Sequence, residues 1–341
     1  MSEGRAEPQP VRWGVIGTGG IADAFVTDLA LLPGASVVAV GSRSAAGAQR
    51  FGAAHGIGHR HASYQALVDD PDVDAVYVAV PHQAHHDAAL LAIAAGKAVL
   101  VEKPFTVSAA EATDLVAAAS AAGVLLMEAM WTRFLPHMAA VRALLAAGAL
   151  GEVTTLIADH GQWFAYDPAF RLFAPELAGG ALLDLGVYPV SLASMVFGAP
   201  DRVAALSSPA QTGVDAQTSV VLSHPGGGHA LLSTTLRALT STRAEIAGTQ
   251  ARLLIDPVWY RPTTLHVVQR DGTTQRHDFP DEGNGLRHQA AEVARCLAEG
   301  RTESPLLPLA ETVAVMGTLD EVRRQIGLAY AWEATPGVRR G

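Results

Sequence analysis

Val11-Arg12-Trp13-Gly14-Val15-Ile16-Gly17-Thr18-Gly19-Gly20-Ile21-Ala22 is the stretch that decides the fold. Residues 11–16 form a short apolar run rich in Val and Ile, which reads as a buried parallel strand. The run enters a G-x-G-x-x-A turn, and a helical pattern follows over residues 21–32. Gly17 permits the tight turn, Gly19 lets a pyrophosphate approach the backbone, and the small Ala22 lets helix and strand pack closely. The N-terminus of that helix favours phosphate. Thr18, Gly20 and Ile21 complete the candidate dinucleotide turn. The motif alone is weak, and a ligand-free glycine turn is the competing reading. Here it follows a strand, opens a helix and begins a series of βαβ units, which is the context it requires.

Outward from this turn, short apolar runs recur at residues 36–40, 75–80, 98–101 and 124–127. Helix-like stretches at 45–55, 64–68, 85–95 and 109–122 separate them. This alternation predicts a doubly wound parallel sheet. After Glu128 the pattern changes. Helices are expected over 137–147 and 182–196. Short alternating segments follow at 218–223, 229–236, 243–247, 252–255 and 264–270, separated by turn residues such as Asp271-Gly272. These read as hairpins of an antiparallel sheet. Two late helices are expected over 286–298 and 309–326. The architecture is α/β: an N-terminal Rossmann domain over 11–128, then an α/β domain with an open, mainly antiparallel sheet over 129–330. Residues 1–10 read as a flexible tail and 331–341 as a C-terminal tail.

Composition narrows the function. The 341 residues are 49% hydrophobic and 17% charged, with a formal net charge of -9. An acidic balance argues against a nucleic-acid surface. The single cysteine, Cys296, cannot form an internal disulfide, so a reducing, cytoplasmic setting is expected. The first ten residues lack an apolar core and do not read as a secretory signal. The apolar runs are too short or broken for a span of ~20 residues, so no membrane partner is expected.

The second strand bears on the cofactor. An NAD site offers an acid to the ribose 2′-hydroxyl ~20 residues past the glycines. Residues 29–68 contain no Asp or Glu, and the second strand ends Gly41-Ser42-Arg43-Ser44. A guanidinium and two hydroxyls suit a 2′-phosphate. NADP is therefore the expected cofactor, with Arg43 as a solvated loop arginine the competing reading. The fourth apolar run leads into Glu102-Lys103-Pro104. Ligands of open α/β sheets bind at the carboxyl ends of the strands, so Lys103 is expected beside the nicotinamide region.

Several segments together resemble the glucose–fructose oxidoreductase / inositol dehydrogenase / MocA family. They are the Gly-rich turn, Pro81-His82-Gln83-Ala84-His85, Glu102-Lys103-Pro104, and Gly179-Gly180-Ala181-Leu182-Leu183-Asp184-Leu185-Gly186-Val187-Tyr188-Pro189. The resemblance runs from residue 11 to about residue 328. Residues 127–134, 256–259 and 303–311 incline it to the branch of dihydrodiol and NADP-dependent D-xylose dehydrogenases. It implies that Lys103 is catalytic, and its dimeric members point, with the open face of the second sheet, to a homodimer or dimer-based oligomer as the expected assembly. Two departures stand out. Many relatives carry His where this chain has Tyr188, and Pro-Asn-x-x-His where it has His82.

Under that resemblance Tyr188 is the expected acid/base. Asp184 and Tyr188 are spaced i,i+4 on a helix, and a Lys103 ammonium would lower the tyrosine pKa. Asp184 would orient substrate hydroxyls or Lys103. His82, His85 and Glu102 join the expected cofactor contacts. Trp131, Arg133, His160, Trp163, Phe164, Arg171 and Trp259 are candidate pocket residues. No metal is expected at His82, His85 and His86, because no carboxylate or cysteine cluster accompanies them. The expected reaction is hydride transfer between NADP and a CH–OH group of a sugar, polyol or cyclic trans-diol. A reductase of keto- or anhydro-sugars and a non-catalytic NADP sensor remain alternatives.

Overall fold

A computed structural model describes residues 10–333; the expected N-terminal tail, apart from Pro10, lies outside them. The first half alternates β1 (Val11–Ile16), α1 (Gly20–Leu29), β2 (Ala35–Gly41), α2 (Ala45–Ala54), β3 (His59–His61), α3 (Tyr64–Val68) and β4 (Ala75–Val78). It continues through α4 (His85–Ala94), β5 (Ala98–Glu102), α5 (Ala109–Ala122) and β6 (Leu126–Ala129). The six strands are parallel in the order β3-β2-β1-β4-β5-β6. The reversal of winding at β1–β4 opens a crevice at their carboxyl ends, where such sheets bind ligands.

Side-chain chemistry explains the local geometry. Ser44, Ser63 and Ser108 each cap a helix by accepting a backbone N–H, satisfying an otherwise orphaned donor. Phe25 of α1 stacks on Tyr77 of β4 with ring centroids 3.9 Å apart, and Trp13 of β1 meets Phe25 edge-on. This aromatic block seats α1 on the sheet and so fixes the Gly-rich turn above it. Asp28 at the end of α1 accepts the amides of Asn284 and Leu286, joining the first half of the chain to the last.

The second half contains α6 (Pro136–Ala146), β7 (Val153–Gly161), α7 (Val187–Phe197), β8 (Arg202–Pro209), β9 (Asp215–Ser223), β10 (His229–Thr235) and β11 (Ala244–Gly248). Then follow β12 (Ala251–Ile255), β13 (Leu265–Gln269), β14 (Thr274–His277), α8 (Arg287–Ala298) and α9 (Leu309–Ile326). The sheet order is β14-β13-β12-β11-β7-β10-β9-β8. The sheet is antiparallel except that β10 runs parallel to β7. Helix α7 packs against β7 and β10, and α9 against both β8 and α5. The apolar run ending in α7 is thereby a core element: Val187 to Ser194 are all buried.

Several expectations need correction. Strands β3, β7, β8 and β14 were not foreseen. The helix expected over 182–196 is a π-type turn, Leu182–Gly186, followed by α7. The described start of the expected C-terminal tail is packed, not loose. Ala331–Glu333 forms a helical turn, Trp332 stacks on Tyr330 at 5.1 Å, and Glu333 pairs with Arg323.

Candidate active site

A cavity of about 690 Å³ lies along the carboxyl ends of the parallel strands and extends to the second sheet. At one end it is lined by Gly17, Thr18, Gly19, Gly20 and Ile21. Gly17 has φ +111°, and a Cβ there would come within 2.1 Å of the Ala79 carbonyl oxygen. Only glycine fits. At Gly19 and Gly20 a Cβ would meet no protein atom within 4 Å. The backbone there faces open space over the start of α1, which fits a dinucleotide's phosphates. Ser42 and Arg43 line the same end, and the described residues lining that end include no carboxylate near them. Ser44 does not line the cavity; its hydroxyl caps α2.

At the other end the cavity is lined by Lys103, Asp184, Tyr188, Arg171, His160 and Trp131. Lys103 directly follows β5, while Asp184 lies in the π-type turn and Tyr188 in the first turn of α7. The Lys103 ammonium donates to the Asp184 carbonyl at 2.8 Å and to its Oδ1 at 3.2 Å. It also lies 5.0 Å from the centroid of the Tyr188 ring. Arg171 donates to both Asp184 carboxylate oxygens, at 2.9 and 3.3 Å. Asp184 is thus a buried anion between two cations. Burial alone would raise its pKa, but Lys103 and Arg171 hold it well below the usual carboxylate range. Burial opposes the Lys103 charge most strongly, but Asp184 together with Tyr188 and Glu102 outweighs it, so the lysine pKa is raised.

Tyr188 departs from the sequence expectation. Burial pushes its pKa up to about 12, and the neighbouring Lys103 charge only opposes that rise. The Trp131 indole donates to the Tyr188 hydroxyl at 2.8 Å. That bond occupies an acceptor lone pair and leaves the hydroxyl proton available to another partner. Glu102, also on the cavity wall, accepts from the Tyr77 hydroxyl, and burial lifts its pKa to about 7.

The histidines are mostly neutral fixtures. His82 contacts the Ala178 carbonyl through Nδ1 and places Nε2 3.4 Å from Asp184; burial lowers its pKa. The ring nitrogens of His85 lie 2.8 and 2.9 Å from the Pro104 and Val80 carbonyls. Burial pushes its pKa to about 3, so the neutral ring donates only one of these contacts. His86 instead faces Asp87 and Asp114 at the surface. His160 stacks on Tyr260 at 4.2 Å and accepts from the Gln162 amide at 3.0 Å; burial holds its pKa near about 3.

Three candidate pocket residues lie elsewhere. Arg133 is buried and donates to Glu311, Ser191 and the Leu306 carbonyl; it ties the segment after β6 to α9. Trp259 is buried and donates to the Asp159 carbonyl. Trp163 is 61% exposed and lines a separate cavity of about 360 Å³ with Tyr166, Phe173 and Leu236. Phe164 borders both cavities. The sequence reading missed Tyr260, Gln162, Tyr64 and Arg261, all on the main cavity wall. Tyr260 follows Trp259, and the signal was one residue off.

Comparison with known proteins agrees with this fold. Residues 11–130 match the oxidoreductase family with an NAD-binding Rossmann fold, and residues 138–254 match the GFO/IDH/MocA C-terminal domain. The chain is 38% identical over 336 residues to trans-1,2-dihydrobenzene-1,2-diol dehydrogenase of Bos taurus, covering 94% of this chain and 98% of the relative. The Homo sapiens enzyme of the same name is 37% identical with the same coverage. A 3-ketoreductase from Actinomadura kijaniata, solved with NADP and TDP-benzene, is 28% identical with TM-score 0.83, over 93% of this chain and 98% of the other. An aldose-aldose oxidoreductase from Caulobacter crescentus complexed with glycerol is 26% identical with TM-score 0.84, over 96% and 99%.

Proposed function

The chain belongs to the GFO/IDH/MocA oxidoreductase family, and on that premise we propose that it moves hydride between NADP and a CH–OH group of a sugar, polyol or cyclic trans-diol. Residues 11–128 would hold the cofactor and 129–330 the substrate and a dimer partner. Gly17 to Ile21 would receive the pyrophosphate. Ser42 and Arg43 would receive the 2′-phosphate, with Ser44 shaping their turn and His82, His85 and Glu102 walling the nicotinamide end. The bound cofactor supplies the hydride donor or acceptor.

The chain's own residues handle the proton. Tyr188 takes it from the substrate hydroxyl in oxidation and returns it in reduction. The Lys103 ammonium and the Trp131 N–H stabilise the phenolate. Asp184 fixes Lys103 and Arg171, and Trp131, His160, Phe164, Tyr260 and Arg171 would form the substrate walls. Flat aromatic faces beside hydrogen-bonding groups suit a ring bearing hydroxyls. The observation carrying this reading is the Lys103–Asp184 ion pair with the Tyr188 ring 5.0 Å from the ammonium, in one cavity with the Gly-rich turn.

A second reading, reduction of a keto- or anhydro-sugar, is favoured by the high pKa of Tyr188. A phenol protonated at neutral pH is ready to donate. A panel of cyclic diols, aldoses and keto-sugars, followed by NADPH absorbance in both directions, tests both readings. Cofactor binding without turnover on any member would favour a sensor instead. The unpaired, buried Cys296 fits a cytoplasmic setting. A homodimer joined through the outer face of the second sheet completes the proposal.

A further inference from the structure

Far from Lys103 and Tyr188, edge strand β3 carries two histidines that face one carboxylate. His59 and His61 alternate along the strand, so both rings stand on the same side of the sheet. Asp70, just past α3, turns back toward them. Its Oδ2 lies 2.7 Å from His59 Nδ1 and 2.9 Å from His61 Nε2. Its other oxygen accepts the Asp72 amide at 2.9 Å, and Lys97 holds its backbone carbonyl. The carboxylate is therefore pre-oriented. The Asp70 side chain is 5% exposed, His61 24% and His59 45%, so the group is walled on one side and open to solution on the other.

The three ligand atoms lie within 4.8 Å of one another. For an ion held at ~2.0–2.1 Å, ligands stand about 2.9 Å apart in an octahedral shell and about 3.3 Å apart in a tetrahedral one. The two measured nitrogen–oxygen separations, 2.7 and 2.9 Å, lie nearer the octahedral edge, and the side chains close on it or open by a few tenths of an ångström for a tetrahedral ion. Two imidazoles and a carboxylate are the ligand types preferred by borderline divalent metals. The carboxylate also has a backbone donor behind it, the kind of outer support that metal ligands use.

We propose that His59, His61 and Asp70 form a binding site for a divalent transition metal such as zinc, nickel or cobalt, with water completing its shell. Nearby Asp72 is not a ligand, since it faces the far nitrogen of His59 at 4.0 Å. The His61 carbonyl accepts the Ser42 amide, so an ion here would brace the strand beside the proposed phosphate turn.

The test uses tag-free, chelator-treated full-length protein. Zn²⁺ alone is titrated calorimetrically, and Co²⁺ is followed by its visible absorption. One equivalent at micromolar Kd is expected, with a rise in Tm. His61→Ala and, separately, His59→Gln should each weaken binding at least tenfold while circular dichroism is unchanged. Asp70→Asn keeps the shape and removes the charge, and should do the same. Binding no tighter than millimolar would overturn the proposal and leave the cluster a pair of histidine–aspartate hydrogen bonds. Stoichiometric binding that survives both histidine variants would overturn it as well.

Discussion

The hydroxyl of Tyr188 is buried beside an ammonium, and its pKa lies at about 12. The direction of that shift sets the pH response of proton transfer through it. A group protonated across the neutral range is a competent acid there, so reduction should be flat from pH 6 to 9. Oxidation needs the deprotonated form, whose fraction grows with pH, so its rate should climb through pH 7–10 without a plateau. Initial rates in both directions check this, and an oxidation plateau near pH 7 would remove Tyr188 as the base. Tyr188→Phe keeps the ring and should lower kcat by ~10²–10⁴-fold, the size of a general acid–base contribution, with NADP affinity intact. Combining it with Lys103→Met should add little, because groups acting as a unit are not additive. Stopped-flow turnover and cofactor titration separate these effects. The sequence contained the identities of Lys103, Asp184 and Tyr188, but not the balance between burial and charge that moves the phenol upward. Nor could it tell Trp259 from Tyr260, since which of two adjacent side chains turns inward depends on the path of the chain after β12.

Elements carry the next effects, and the β2–α2 turn is the first. Arg43 lines the cofactor end of the cavity beside Ser42. If it reads a 2′-phosphate, Arg43→Ala should weaken NADP binding by ~1.5–3 kcal/mol through a lost charge-assisted contact and leave NAD affinity nearly unchanged. Equal losses for both cofactors, measured by fluorescence titration, would deny it that role. Strand β6 gives a different test. Glu128 is buried, accepts from Thr312 of α9, and burial raises its pKa to about 7. Its folded pKa exceeds its unfolded one, so its favourable contribution is complete below about pH 4 and is lost as pH rises through about 7. Glu128→Gln should therefore raise stability at pH 8 by up to ~3 kcal/mol, read as a higher Tm, and change it much less at pH 5. Scanning calorimetry at the two pH values decides, and equal changes would count against a buried charge. Legibility varied in the same way from element to element. The buried strands β1, β4 and β5 are nearly all apolar and announced themselves. Strand β3 is His59-Arg60-His61, with no apolar residue, and β14 is exposed throughout. Parallel pairing of β10 with β7 depends on contacts between residues 74 positions apart that no local pattern encodes.

Across the whole molecule, the second sheet has one face on helices and one face open. On the covered face Leu156, Ala158, Val220, Leu222, Ala230 and Leu232 are buried. On the open face the pairing registers place Ala204, Val221, Leu231 and Ile157 in one row across β8, β9, β10 and β7. Val221, Leu231 and Ile157 are 47, 44 and 49% exposed, and Leu206 of β8 is 80% exposed. The row continues into Glu245 and Leu254, so an apolar strip is bordered by charge. A contiguous apolar strip on a flat sheet face is a usual interaction surface. The same strip on a second copy, turned about a two-fold axis, would bury both, and such self-complementary contacts are the commonest way chains pair. We therefore expect a homodimer at micromolar concentration, measured by light scattering. Leu231→Asp puts a charge in the middle of the strip, where a partner would have to desolvate it without a counter-ion. It should convert the dimer to monomer while circular dichroism and Tm of the isolated chain stay close to wild type. A wild-type monomer would reject the interface outright. A dimer that persists in the variant would move it to another face, since nothing in the monomer fold needs Leu231 to be apolar when its side chain already meets water.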